Sequence, residues 1–172
     1  VYGPYSSKRA GLWIASPSWL NLLHDGKMNC YGSSNGLLGR ICSLQEDEKG
    51  ILWVGQERAL QRFDPQTTTF STNCMPNQLS HTVVQTLQCD AQGDLWAVFT
   101  EAEIRPAAEA PIAKLWVHWF AEGKWHSCPG NPYENEGRPF FILPDHGGNV
   151  WMPAGFGHIL RRAQVRHVNR IE

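Results

Sequence analysis

One heptapeptide pattern, Asp-x-x-Gly-x-Leu/Val-Trp, recurs along this chain and constrains its fold more than any other feature. It stands at Asp47–Trp53, Asp90–Trp96 and Asp145–Trp151. A degenerate copy, Gly11-Leu12-Trp13, lacks the Asp and has its Gly displaced. The four Trp residues follow one another at spacings of 40, 43 and 55 residues. Such a recurrence predicts an array of similar supersecondary units.

The sequence of each unit predicts four short strands. An apolar stretch precedes the Asp, and Asp-x-x-Gly predicts a tight turn, because Asp bonds to the backbone of its own turn and Gly tolerates positive φ. The Trp then lies in the second strand and another apolar stretch predicts the third. Hairpin turns at His24–Lys27, Asp64–Thr67 and Ala121–Lys124 lead into the fourth.

The third unit is longer than the others by about 14 residues, which fall between its second and third strands. The added segment, 100–113, is rich in Ala, Glu and Pro. We expect a long excursion there, with a helical turn at 107–110. A second long loop is expected at 129–138. Long loops in a compact repeat are often functional.

A period near 40 residues with four strands per unit is the signature of a β-propeller blade. The predicted fold is therefore all-β, a single propeller domain of about four four-stranded antiparallel blades at 1–36, 37–78, 79–136 and 137–172. The units use the whole sequence, so we expect a self-contained unit, monomeric or paired. A ring closed by one chain, a ring shared by two chains and a piece of a longer protein all remain open.

These repeats resemble the two-component-regulator propeller repeats of bacterial sensor ectodomains. The family pattern continues after the Trp with Tyr/Phe-Asp-Pro and a Thr/Gly turn, which residues 41–70 match best, including Phe63-Asp64-Pro65-Gln66-Thr67-Thr68. Asn35-Gly36-Leu37 and Asn77-Gln78-Leu79 resemble the family's loops into the next blade. The first and last units depart from the pattern, at the missing Asp and at Pro153. The resemblance implies a sensing role.

Charge and composition limit the partners. The chain has 172 residues with 15 Lys and Arg against 16 Asp and Glu, which gives no reason to expect nucleic acid or an anionic membrane. It contains no apolar run long enough for a membrane span and no signal-peptide pattern, so we expect a soluble protein, cytoplasmic or periplasmic. The five Cys form no metal-ligand spacing and are expected to be buried free thiols. No metal or cofactor is predicted.

Ligands of propellers meet the loops between second and third strands and between successive blades. Aromatic residues that do not repeat suit stacking on sugars, peptides or other flat faces. The repeated Trp residues, in contrast, are expected to pack between blades, and the repeated Asp residues to cap turns. The candidate binding residues in the loops are Trp19, Arg58, Arg105, Tyr133, Glu134, Arg138, Phe156 and His158.

The function favoured by these patterns is non-enzymatic binding of a small ligand, sugar-like or peptide, or of a protein. No catalytic residue is assigned, because no Ser-His-Asp or nucleophile-elbow pattern is present. One alternative is a metal-assisted lyase or hydrolase with His81 or His158 as base or ligand. Another is a structural unit that completes a ring as a homodimer. His118 and His126 are expected to be satisfied or surface residues.

Overall fold

A computed structural model describes residues 4–8, 10–102, 113–128, 133–135, 142–145, 149–153 and 160–164. The chain divides into two compact units, Val1–Leu87 and Gln88–Glu172. The described residues are all-β, with two single-turn 3-10 helices at Ser33–Asn35 and Asn77–Leu79. None of the helices in this part of the chain has the length and apolarity to cross a membrane.

The first unit contains two four-stranded antiparallel sheets in which neighbouring strands follow one another along the chain. The first sheet consists of β1 (Tyr5–Ser6), β2 (Leu12–Ala15), β3 (Leu20–His24) and β4 (Lys27–Tyr31). The second consists of β5 (Ile41–Glu46), β6 (Leu52–Gln56), β7 (Ala59–Asp64) and β8 (Thr69–Phe70). In this order, successive turns alternate between the two ends of each sheet.

The next two sheets follow the same order. The third consists of β9 (Val83–Cys89), β10 (Leu95–Ala102), β11 (Ala113–Ala121) and β12 (Lys124–Ser127), with β13 (Tyr133–Asn135) paired to β11. The fourth consists of β14 (Leu143–Pro144), β15 (Asn149–Pro153) and β16 (Leu160–Gln164). The second and third strands predicted in each of the four repeats are confirmed to within a few residues. The last strand of the fourth predicted blade and the helical turn predicted at 107–110 lie outside the described residues.

The two long loops predicted in the third repeat are shorter than expected, because strands occupy part of each. β10 and β11 extend into the segment 100–113, pairing as far as Ala102 with Ala113. β12 covers β11 only at 118–121, and β13 pairs with the rest of that edge through Ala113–Leu115. The loop predicted at Tyr133 and Glu134 was therefore wrong, because the lengthened β11 offers unpaired backbone groups that β13 satisfies.

The Asp-x-x-Gly turn is held by its own Asp side chain. Oδ1 of Asp47 accepts hydrogen bonds from the backbone N–H groups of Lys49 and Ile51, each at 3.0 Å. Oδ2 accepts the indole N–H of Trp53 at 3.1 Å. Gly50 adopts φ +83°, which a residue with a side chain rarely adopts, and this explains the fixed Gly. One carboxylate thus fixes both the turn and the Trp of the next strand.

The other two copies repeat this geometry. Asp90 accepts the backbone N–H groups of Gln92 and Asp94 and the indole N–H of Trp96, the last at 2.8 Å. Asp145 accepts the indole N–H of Trp151, also at 2.8 Å. The prediction that the repeated Asp residues cap turns is confirmed for Asp47 and Asp90, whereas residues 146–148 of the third turn lie outside the described residues. The indole bond was not predicted, although Asp and Trp stand six residues apart in each copy.

The degenerate first copy retains a related cap. Ser7 stands six residues before Trp13, in the place of the missing Asp. Its backbone N–H donates to the Gly11 carbonyl at 2.8 Å, and its hydroxyl accepts the Ala10 N–H at 2.7 Å. Asp47 makes the same backbone bond to Ile51. Ser7 therefore closes a turn of the same register with a neutral side chain.

Aromatic rings form the core of the first unit. Trp13 is 1% exposed and packs edge-on against the ring of Phe63, with ring centroids 5.4 Å apart. The ring centroids of Tyr31 and Phe63 are 4.6 Å apart. Since Trp13 belongs to the first sheet and Phe63 to the second, these contacts join the two sheets. The prediction that the repeated Trp packs between neighbouring sheets is confirmed at this position.

The second unit has a core around Trp96, whose neighbours include Val98, Leu115 and Ile142. Trp96 stacks on Trp119 of the adjacent strand, with ring centroids 5.4 Å apart. Of the five Cys, all within the described residues, Cys128 is the buried one, and burial raises the pKa of its thiol to about 12. The prediction of buried thiols was wrong for the other four, which lie in partly or fully exposed positions of strands and loops.

His118 is buried in β11 with 3% of its surface exposed. Its Nδ1 has no hydrogen-bond partner among the described residues, and the ring of Phe99 lies edge-on at 5.6 Å. Removal from water disfavours the charged imidazolium and lowers the pKa of His118 to about 4. The expectation of a satisfied or surface histidine was wrong at this position.

Replacing Asp90 by Asn tests the carboxylate–indole bond. Asn retains an oxygen for the backbone N–H groups of the turn but presents an N–H₂ group where Oδ2 accepts the Trp96 indole. We expect the free energy of unfolding in urea to fall by about 1–3 kcal/mol, because a buried donor loses its partner. Asp64→Asn is the matched control, since Asp64 caps its turn through Oδ1. Equal losses in the two variants would contradict the role of the indole bond.

The low pKa of His118 makes stability depend on pH. The His118 side chain is protonated near pH 6.5 in the unfolded chain but only near pH 4 in the folded chain. The neutral imidazole therefore contributes fully to the free energy of unfolding above pH 6.5, and this contribution is lost as the pH falls toward 4. The loss amounts to about 3 kcal/mol. In His118→Phe, the free energy of unfolding in urea should change by about 3 kcal/mol less between pH 6.5 and 4 than it does in the wild-type protein. Parallel pH profiles for wild type and His118→Phe would contradict the assignment.

Candidate functional site

Three connecting segments meet at one end of the first two sheets. They are Ser16–Trp19 between β2 and β3, Gly32–Arg40 between β4 and β5, and Glu57–Arg58 between β6 and β7. We call this surface the loop edge. Backbone hydrogen bonds join the segments: the Ile41 N–H donates to the Pro17 carbonyl at 3.1 Å, and the Glu57 N–H donates to the Arg40 carbonyl at 3.0 Å.

Trp19 is the largest exposed apolar side chain of the loop edge, with 51% of its surface accessible. The backbone N–H of Ser16 donates to the Trp19 carbonyl at 2.9 Å, which closes the short loop before it. One side of the indole ring lies against Gly32, where an added Cβ would come within 2.6 Å of the ring. The backbone of Gly32 therefore supports the ring while leaving much of its surface accessible to a flat ligand.

A buried amide network fixes the middle segment. Nε2 of Gln61 donates to the carbonyls of Gly36 and Ser71 at 2.9 and 2.8 Å, while its Oε1 accepts the Leu38 N–H at 3.0 Å and the Gln56 side chain at 2.9 Å. Gln61 is 1% exposed, so these bonds are shielded from water. The segment around Leu38 is consequently held on the second sheet rather than left as a loose loop.

Arg58 lies in the two-residue turn between β6 and β7 with φ +64°. Its backbone N–H donates to the Thr82 carbonyl at 2.9 Å, and its carbonyl accepts the Asn73 side chain at 3.3 Å. A left-handed conformation costs a non-glycine residue about 1 kcal/mol. The backbone of Arg58 is thus fixed while its exposed guanidinium extends from the turn.

The remaining exposed groups of the loop edge are mixed in chemistry. Leu38 is 60% exposed. Arg40 and Glu57 form an ion pair with 3.4 Å between Nη1 and Oε1, and both side chains are about half exposed. An exposed pair of this kind contributes at most about 1 kcal/mol to stability and can exchange one partner for a ligand group. The edge therefore combines an aromatic face, an apolar side chain and charges of both signs.

The structure brings Trp19 and Arg58 to the same edge, as their loop positions predicted. Tyr133 and Glu134 belong to the other unit, where their backbones pair with Leu115 and Lys114. The other predicted residues lie outside the described residues: Arg105, Arg138, Phe156 and His158. Sequence reasoning missed Leu38 and Arg40, and it identified Glu57 only as a carboxylate within reach of a candidate His. An apolar Leu directly after the Asn-Gly-Leu loop motif was the available signal for the first of these.

The candidate metal ligands and nucleophiles do not come together in the part of the chain that the structure describes. No group of three or more His, Cys, Asp or Glu side chains is placed to hold a metal ion within those residues. His81, a candidate base or ligand, lies exposed after the second 3-10 turn. Near the loop edge, burial raises the pKa of the Cys42 thiol, and the carboxylate of Glu57 adds to this effect. That shift disfavours the reactive thiolate form.

No protein-family model matches the chain, and no curated protein sequence matches it. Solved structures do resemble it. The extracellular domain of a hybrid two-component system protein from B. thetaiotaomicron is 18% identical over 88% of this chain and 20% of its own, with a TM-score of 0.57. A second such domain from that organism is 15% identical over 88% and 27%, with a TM-score of 0.50.

PorZ, an essential surface component of the type-IX secretion system of Porphyromonas gingivalis, is 15% identical over 88% of this chain and 23% of its own, with a TM-score of 0.60. The chain thus spans about a fifth to a quarter of the length of the structures it matches. At these identities the likeness concerns the fold. The chain resembles the extracellular domains of two-component system proteins, as its repeat motifs predicted.

Proposed function

We propose that this chain is a non-enzymatic binding module similar to the sensing portion of two-component regulators, and that its loop edge receives the ligand. The observation that carries this proposal is the exposed ring of Trp19, supported from one side by the Gly32 backbone. Exposing an apolar Trp ring to water is energetically unfavourable, and an exposed Trp in a structured loop is typical of a recognition surface. The likeness to extracellular sensor domains supports the same class of function.

The fold proposal that accompanies it is a β-propeller in which each sheet is one blade. The repeat period, the strand order and the contact of Trp13 with Phe63 between the first two sheets support this arrangement. Ligands of such a scaffold meet loops at one end of the blades, which is where the loop edge lies. An experimental structure with the four sheets arranged otherwise than around one axis would contradict it.

The chemistry of the loop edge suits a small ligand with a flat face and polar groups, a sugar-like molecule or a peptide. Trp19 offers a stacking surface, and Leu38 extends the apolar area. Arg58 offers a cation with five donors, and the exposed Arg40–Glu57 pair supplies both charges. We propose an exported location, periplasmic or extracellular, on the likeness to extracellular domains.

The candidates beyond the first unit stay part of this proposal as predictions. Tyr133 and Glu134 lie in β13. The segments that the sequence predicts as loops of the third and fourth repeats hold the others, Arg105, Arg138, Phe156 and His158. Loss of affinity on alanine substitution of Tyr133 or Arg138, without loss of melting temperature, would support their participation.

Binding at the loop edge can be followed by ¹⁹F NMR of the protein labelled with 5-fluorotryptophan. A set of oligosaccharides and a set of short peptides serve as probes, and the Trp19 resonance is assigned with Trp19→Phe. We expect a bound probe to shift the Trp19 resonance. Trp19→Ala should then lower affinity by about tenfold or more, as expected for a central aromatic contact, while the melting temperature stays within about 2 °C, because half of the side chain is already exposed.

Two further variants sharpen this test. Arg58→Gly removes the guanidinium while favouring the left-handed turn, so stability should hold or rise by about 1 kcal/mol while affinity falls. Met28→Ala is the control, because Met28 on β4 is exposed to the same degree as Trp19, at 52% against 51%. Probes that bind Trp19→Ala as tightly as wild type, or that are weakened equally by Met28→Ala, would contradict binding at the loop edge.

A further inference from the structure

A cleft of about 410 Å³ lies at the end of the first two sheets opposite the loop edge. It is formed where the β3–β4 turn of the first sheet approaches the β5–β6 and β7–β8 turns of the second. Its volume falls within the range of small-molecule sites, about 300–1,000 Å³. None of the residues assigned above to the loop edge lines it, so the cleft is a separate feature of the molecule.

The walls of this cleft combine apolar and polar groups, and the apolar part is aliphatic. Leu22, from β3, is 7% exposed and forms part of its interior, while Ile51 and Pro65 line it from the second sheet. These side chains offer a surface for a short hydrocarbon chain, because each methylene group removed from water favours binding. Aliphatic walls alone do not select a ligand, so selection falls to the polar groups.

Asp64 supplies a fixed negative charge on the wall. Its Oδ1 accepts the backbone N–H of Gln66 at 2.8 Å, which orients the carboxylate at the β7–β8 turn. Within the described residues no Lys, Arg or His side chain forms an ion pair with Asp64, and no Lys or Arg lines the cleft. His24, the other ionisable group in the lining, is paired with the exposed Asp25 at 3.4 Å.

We propose that this cleft binds a primary alkylammonium ligand. The ammonium group would donate to Oδ2 of Asp64, the oxygen not used by the turn cap, and the alkyl chain would lie along Leu22, Ile51 and Pro65. A carboxylate already oriented by a backbone hydrogen bond gives a charge-assisted contact at little ordering cost. This inference does not depend on ligand binding at the loop edge.

The first test uses the wild-type protein and two probes of the same length. n-Butylammonium chloride and 1-butanol are titrated separately while the backbone amides are followed by ¹H–¹⁵N NMR. We expect saturable shifts at Ile51 and Gln66 with butylammonium, and affinity for butanol weaker by about tenfold, since a hydrogen bond to a charged group contributes more than a neutral one. Equal affinities for the two probes, or no shifts at these residues, would overturn the proposal.

The second test removes the charge and keeps the turn. In Asp64→Asn the amide oxygen still accepts the Gln66 N–H, so the melting temperature should change little, and butylammonium affinity should fall about tenfold. Asp25→Asn is the matched control and should change affinity by less than about twofold, because Asp25 is 87% exposed and does not line the cleft. Unchanged affinity in Asp64→Asn would overturn the assignment of Asp64. Should that variant not fold, the comparison of the two probes decides alone.

Discussion

The hydrogen bond from a Trp indole to an Asp carboxylate six residues earlier is the interaction on which the second, third and fourth sheets depend. One oxygen of the carboxylate accepts backbone N–H groups within the turn, and the other accepts the indole N–H. Each bond to the charged group contributes about 1.5–3 kcal/mol net. Because the same side chain fixes the turn and the strand after it, the second strand starts at a defined residue in each copy.

This constraint also acts differently on the two ends of each sheet. The Asp turns occur at one end, and the loops between second and third strands occur at the other. The sequence at the Asp end is therefore restricted. Trp19, Leu38 and Arg58, in contrast, occupy segments that are held through their backbone groups. The Gln61 amide illustrates the difference, since it holds the segment around Leu38 through carbonyl and N–H groups that any sequence supplies.

Much of the fold could be predicted from local sequence because its determinants are local. The strand predicted to hold Trp53 is observed at Leu52–Gln56, and the turn predicted at His24–Lys27 joins β3 to β4. β13 could not be predicted in this way. Its formation depends on the extra length of β11, which in turn depends on pairing across the added segment, and three residues at 133–135 carry no strong strand signal of their own.

The candidate site was predictable in part for the same reason. Loop position and residue type identified Trp19 and Arg58. Their placement on one edge depends on long-range hydrogen bonds, from Ile41 to the Pro17 carbonyl and from Arg58 to the Thr82 carbonyl, which no sequence pattern reveals. The buried and unsatisfied Nδ1 of His118 was equally invisible, because its burial results from strand pairing rather than from its neighbours in sequence.

The most direct test of this account is hydrogen exchange at the indole Nε1 of each Trp under native conditions. We predict that the indole protons of Trp53, Trp96 and Trp151 exchange only through extensive unfolding of their units, because each is bound by a carboxylate within its own turn. The exposed indole of Trp19 should exchange far faster. Exchange of the three bound indoles at the rate of Trp19, while the amides of β6 and β10 remain protected, would contradict the central role of the Asp–Trp bond.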